Sequence, residues 1–233
     1  MTKLGIIGAM EIEVAILKSK LENPSVTKVG PMEFYEGKLA GLPVVIVMCG
    51  VGKVHAAMCT QTLCTHFGVT HIVNTGVAGS LDPELDICDV LVSTDAIQHD
   101  MDVTHLSYNV GQVPGLDVRA FPADEMLIRY AFEASEAIRP GHTKLGRVAT
   151  GDQFVSSKAQ KEKIIADTAA KCTEMEGGAI AQTAYVNGVP FVILRAISDK
   201  ADDSADMDYP TFERLAAHNC AAVTEALAKR MAE

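Results

Sequence analysis

Three acidic residues stand at one kind of place in this sequence. Glu13 follows the apolar run Leu4-Gly5-Ile6-Ile7-Gly8, Glu176 lies in Glu174-Met175-Glu176-Gly177-Gly178, and Asp199 closes Arg195-Ala196-Ile197-Ser198-Asp199. Residues just beyond the carboxyl ends of strands line the ligand crevice of an open α/β sheet, so the three carboxylates can converge there. Carboxylates held in unlike surroundings separate into a proton donor and a proton acceptor, which is what general acid–base catalysis needs. Each acid also has a plain structural reading. Glu in the first turn of a helix is favoured by the helix dipole, and Asp after a strand caps or turns the chain.

The elements that must hold these acids follow from periodicity. The first apolar run and the helical spacing over 11–20 give strand, turn, helix. Residues 33–39 and 43–48 are β-rich runs separated by Ala40-Gly41-Leu42, a hairpin pattern. A helix over 52–67 precedes a strand over 70–74, which runs into Thr75-Gly76-Val77-Ala78-Gly79, read as a glycine-bearing turn. Further strands are expected over 89–93, 144–150 and 191–197, with helices over 124–138, 158–170, 177–187 and 209–231. Continuous apolar strands such as Phe191-Val192-Ile193-Leu194 need cover on both faces. Their alternation with helices predicts an α/β three-layer sandwich, a mixed and largely parallel central sheet between helices, in one domain over 1–233. Residues 94–118 lose periodicity and read as a long irregular connection, the kind of segment that serves a site or an interface.

The chain has 233 residues, 48% of them apolar, and a formal net charge of −10 with scattered basic residues, so neither nucleic acid nor an anionic membrane suits it as a partner. A small-molecule ligand does. No segment reads as a signal peptide or a membrane span, and six scattered cysteines without a C-x-x-C pair fit a reducing, cytoplasmic compartment. Gly5-Ile6-Ile7-Gly8 lacks the G-x-G-x-x-G spacing of a dinucleotide site. Gly50-Val51-Gly52-Lys53 lacks both the first glycine of a P-loop, where Val47 stands, and its Ser or Thr, where Val54 stands. His99-Asp100-Met101-Asp102 with His105 reads as loop polar residues rather than metal ligands. No metal and no cofactor is expected.

The wording around the acids is more specific than the acids themselves. Gly5-Ile-Ile-Gly-Ala-Met-Glu-Ile-Glu13, Asn74-Thr-Gly-Val-Ala-Gly79, Gly151-Asp-Gln-Phe154, Glu174-Met-Glu176 and Arg195-Ala-Ile-Ser-Asp199 resemble the 5'-methylthioadenosine/S-adenosylhomocysteine nucleosidases, within the wider purine nucleoside phosphorylase family. The matches run from end to end in family order. The resemblance implies a homodimeric hydrolase that cleaves an adenine nucleoside with water. In that reading Glu13 holds and deprotonates the attacking water, Asp199 protonates adenine at N7, and Glu176 with Met175 grips the ribose hydroxyls. Phe154 stacks on adenine and the Val155 backbone bonds its edge, while Met10, Val51, Gly79, Arg195, Ser198 and Tyr209 match other pocket positions. Val103, Leu106 and Pro114 correspond to a segment closing the alkylthio end of the neighbouring subunit's pocket. Val77 stands where the family often has Ser, so one hydroxyl contact to the sugar is missing.

The chemistry agrees with those residue types. Breaking the bond leaves a ribosyl oxocarbenium and an electron-rich purine, which call for a carboxylate-bound water and a proton donor, as in inverting glycosidases. For Asp199 to carry a proton near neutrality it needs burial or a hydrogen bond that favours the acid. A phosphorylase of the same fold would instead need an anion nest near the N-terminus, where Glu11 and Glu13 put negative charge. A non-catalytic nucleoside-binding protein would have no need of both an acid and a base.

Overall fold

The structure is a computed structural model that describes residues 2–233, the Met207 side chain excepted. Ten strands and six α-helices follow one another as β1 (Leu4–Gly8), α1 (Glu11–Ser19), β2 (Glu22–Val29), β3 (Met32–Leu39), β4 (Leu42–Met48), α2 (Lys53–Thr65), β5 (His71–Ser80), β6 (Val90–Gln98), β7 (Phe121–Pro122), α3 (Glu125–Ile138), β8 (Thr143–Thr150), α4 (Lys158–Thr168), β9 (Cys172–Glu174), α5 (Gly177–Val186), β10 (Phe191–Asp199) and α6 (Ala205–Ala232).

The sheet is mixed. β1 runs parallel between β4 and β5, and β5 is also parallel to β10. β8 is parallel to both β6 and β9. Antiparallel pairs join β2 to β3, β3 to β4, β10 to β6 and β9 to β5. The last two close β5, β10, β6, β8 and β9 into a ring. Closure leaves these five strands without a free edge and brings the carboxyl ends of several strands around one opening, while β1, β4, β3 and β2 extend from β5 to an edge at β2.

Alternation along β1 shows how the layers form. Leu4 and Ile6 join a cluster with Val14 and Leu17 of α1, Leu127 and Ala131 of α3, and Ala217 and Cys220 of α6. Ile7 points to the other face, into a cluster with Ala56, Cys59 and Leu63 of α2 and Ile180 and Ala184 of α5. Helices therefore cover both faces, as strands apolar on both sides require.

Three boundaries differ from the sequence reading. Residues 75–79 are strand, with Gly76 opposite Arg195 and Val77 opposite Ala196. Their glycines serve close approach rather than a turn, because a Cβ at Gly76 would collide with Arg195 Nη1 and Glu13 Oε1. β6 continues to Gln98, so the irregular connection starts later and holds only a 3₁₀ turn at Thr104–Leu106. α6 begins at Ala205, a turn earlier than the expected start at 209, with Asp206 and Asp208 in its first turn at the positive end of the dipole.

Candidate active site

β1 delivers the chain to the start of α1, where Glu13 sits at the third helical position. Its side chain turns back along the helix axis, and Oε2 accepts the Ala9 N–H at 2.6 Å and the Met10 N–H at 2.9 Å. Oε1 accepts the Val77 N–H from β5 at 3.1 Å. Glu13 thus caps a helix and also presents a buried carboxylate to the interior. Burial raises its pKa, against the opposing pull of Arg195 and of the three N–H groups. One acceptor position, on Oε1, is left over, and Arg195 Nη1 lies 4.0 Å from that oxygen.

The second acid depends on a residue that sequence reasoning did not single out. Glu174 ends β9 and Glu176 precedes α5. Glu174 Oε2 accepts the N–H groups of Glu176 at 3.1 Å and Gly177 at 2.7 Å, and also binds Arg195 Nη2, while Oε1 accepts from Thr150 Oγ1. Because Glu174 satisfies the start of α5, Glu176 is free to leave its own helix. Its Oε1 accepts the Gly52 N–H across the cleft at 2.8 Å. Burial, followed by the neighbouring Glu174, pushes Glu176 up to about 7.

Arg195 lies at the hub of these carboxylates and is fully buried. Its Nη2 donates to Asn74 Oδ1 at 2.7 Å as well as to Glu174, and stands 3.6 Å from Glu176 Oε2. Burial works against its charge, but Glu174, Glu176 and Glu13 more than restore it and hold its pKa above the ordinary arginine value. One guanidinium among three carboxylates leaves this side of the cleft with excess negative charge or bound protons.

Asp199 ends β10 in different surroundings. Oδ1 accepts the Ala201 N–H and Oδ2 accepts from Ser198 Oγ, both at 2.8 Å. Those bonds favour the carboxylate, yet its pKa is raised, because burial outweighs them and Asp208 and Asp202 add repulsion. Burial is therefore what favours the acid, while the hydrogen bonds oppose it. A Cβ at Gly79 would come within 2.7 Å of Asp199 Oδ1, so the glycines of β5 give room to both Glu13 and Asp199.

The cleft between these groups has a volume of about 190 Å³. Met10, Glu13, Val51, Val77, Gly79, Phe154, Val155, Met175, Glu176, Arg195, Ser198, Asp199 and Tyr209 all line it, joined by Ala9, Ala78, Gln153, Thr173 and Glu174, to which the sequence reading gave no place in the pocket. Phe154, 45% exposed at the mouth, meets Tyr209 edge-to-face at 5.6 Å. The Val155 side chain is buried, while no other backbone group among the described residues takes its N–H or C=O. Tyr209 Oη contacts Met10 Sδ at 3.4 Å. Val103, Leu106 and Pro114 are absent from the described lining of this chain's own cleft; Leu106 and Pro114 are exposed and Val103 is half-buried.

A ringed mixed sheet with acids gathered at its strand ends defines a glycosyl-bond enzyme of the phosphorylase superfamily, whose family model matches residues 3–229. The 5'-methylthioadenosine/S-adenosylhomocysteine nucleosidase of Halalkalibacterium halodurans is 42% identical, over 99% of this chain and 100% of its own. The crystal structure of the Neisseria meningitidis nucleosidase in complex with methylthio-immucillin-A superimposes with a TM-score of 0.96 at 37% identity, covering 99% of this chain and 100% of that one. The Colwellia psychrerythraea nucleosidase in complex with adenine gives a TM-score of 0.94 at 37% identity over 97% and 94%. The chain belongs to the 5'-methylthioadenosine/S-adenosylhomocysteine nucleosidase family.

Proposed function

We infer that this chain, acting as one domain, hydrolyses the N-glycosidic bond of methylthioadenosine and S-adenosylhomocysteine, giving adenine and the thioribose product. The observation that carries this reading is the use made of the start of α1. The Ala9 and Met10 N–H groups, which could cradle a phosphate, are already occupied by Glu13 Oε2. A phosphate entering there would meet a buried carboxylate, whereas a water would find a base.

Adenine lies between Phe154 and the Val155 backbone, and Glu176 accepts from the ribose hydroxyls. The water sits on the spare acceptor position of Glu13 Oε1, where the 4.0 Å gap to Arg195 Nη1 suits a bridging molecule. As the bond from the sugar to the base breaks, Asp199 gives its proton to N7 and the bonding pair stays on the purine. The water oxygen bonds to the anomeric carbon, and its proton passes to Glu13. Incubated with methylthioadenosine in phosphate-free buffer, the protein releases adenine and the free thioribose. Release that waits for added phosphate and yields a ribose phosphate overturns this reading.

The protein acts as a homodimer in which Val103, Leu106 and Pro114 close the neighbour's alkylthio pocket. Support comes from apolar surface near the cleft. Val54 and Met58 lie one turn apart on α2, 69% and 52% exposed, and Val54 shares a groove with Val186 of α5, itself 63% exposed. Leu106 is 68% exposed. Sedimentation at micromolar concentration gives a dimer, and a fully active monomer removes the proposal. All six cysteines are free, which fits the cytoplasm. Among the described residues, no helix is long and apolar enough to cross a membrane.

A further inference from the structure

Two motifs that match neither a P-loop nor a metal site meet in space. Asp100, just after β6, accepts Lys53 Nζ on Oδ1 at 2.7 Å and the Asp152 N–H on Oδ2 at 3.0 Å. Asp152 Oδ1 in turn accepts the Lys53 N–H, the first of α2, at 2.8 Å. These three bonds tie the segment leaving β6, the start of α2 and the loop after β8 into one closed circuit.

Each side of the circuit ends at the cleft. On one side, Gly52 adjoins Lys53 and donates its N–H to Glu176. Gly52 has φ +95°, and a Cβ there would stand 3.0 Å from Asp152 Oδ1, so both the backbone conformation and the approach of Asp152 require glycine. On the other side, Asp152 leads directly into Gln153, Phe154 and Val155, which line the cleft. Below that loop the His99 ring occupies the space where a side chain at Gly151 would be. The circuit is charged as well as closed. Burial alone would raise Asp100, yet the bonds from Lys53 and Asp152 hold it below its ordinary value.

We propose that Asp100, acting through Lys53 and Asp152, is a positioning residue that fixes the base-binding loop relative to the ribose-binding carboxylate Glu176. None of the three lines the cleft. They hold the base-binding loop itself, through the Asp152 N–H and carboxylate, as well as its distance from Glu176, so loosening the circuit weakens binding of both adenine and the nucleoside more than it slows a substrate already bound. The proposal rests on the nucleosidase reading only in the identity of the ligand.

Asp100→Asn tests it, because the amide offers one acceptor and one donor to two facing donors. The expected result is a rise of about tenfold in KM for methylthioadenosine and in the Kd for adenine by calorimetry, with a much smaller change in kcat. Lys53→Met gives the same pattern, Lys53→Arg recovers most of it, and the double variant Asp100→Asn/Lys53→Met is no worse than either single change. Unchanged KM and adenine affinity in both single variants, or losses that multiply in the double variant, would overturn it. If Asp100→Asn does not fold, Lys53→Met decides alone. Adenine affinity is read without turnover, so a wild-type protein that bound adenine but failed to hydrolyse the nucleoside would sink the function and leave this proposal standing.

Discussion

Glu13→Gln retains the fold and binds adenine, but turns over methylthioadenosine roughly 10²–10⁴ times more slowly than the unaltered protein. The loss has two sources. The amide cannot accept the water's proton, so the nucleophile must attack without a base. The amide also carries one acceptor oxygen where the carboxylate uses two, against the N–H groups of Ala9, Met10 and Val77. Whichever way it turns, its NH₂ faces a backbone donor, and a buried donor left unpaired costs about 1–3 kcal/mol. The lower-cost arrangement keeps the oxygen on the Ala9 and Met10 pair, which points the NH₂ at Val77 and abolishes the acceptor position left for water. A turnover assay in phosphate-free buffer, read beside adenine calorimetry, separates lost chemistry from lost binding. A Glu13→Gln variant working near the original rate removes Glu13 from the mechanism.

That prediction was within reach of the sequence, since an acid two residues into a helix after an apolar strand is a visible pattern. Its double duty was not. Sequence offers capping and catalysis as rivals for Glu13, whereas the fold lets one carboxylate do both by leaving an acceptor position over. Glu174 shows the opposite failure. In Glu174-Met175-Glu176 the sequence reading gave a role to Glu176 alone, and only the short β9, three residues long and too brief to read by periodicity, decides that Glu174 closes the helix start and binds Arg195. The β5 glycines were legible as glycines but misleading as a turn, because the reason for them lies in side chains from α1 and β10. β2 was missed for another reason: Glu22–Val29 is a largely exposed edge strand with polar residues and a proline, so it lacks a buried face to generate alternation. The ring closure depends on the β9–β5 and β10–β6 pairings between distant segments, which no local pattern encodes.

Asp199→Asn has the second large effect, and its signature differs from that of Glu13. Burial is the leading reason the Asp199 pKa is raised, and the charges that add to it are those of Asp208 and Asp202. Glu13, in contrast, feels Arg195 as the first influence opposing burial. Burial raises both acids, but a cation stands beside Glu13 and carboxylates beside Asp199, and that difference in neighbours suits Asp199 to hold a proton for the leaving base. Asparagine has the same shape and can accept the Ala201 N–H, but it has no acidic proton to give. Turnover therefore falls by roughly 10²–10⁴ while adenine still binds. Stability moves the other way. A carboxyl whose folded pKa is raised contributes stability that is fully present below its unfolded value and is lost as pH rises through the folded one. The ionised, buried Asp199 is thus a burden at alkaline pH that the amide does not carry. Thermal unfolding at pH 8 should show Asp199→Asn at least as stable as the original protein, with the difference shrinking toward pH 4. Activity also falls on the alkaline side in the unaltered protein as this proton is lost. A variant that is inactive because it unfolds, with a Tm well below the original at pH 8, would place Asp199 in the scaffold instead of the proton transfer.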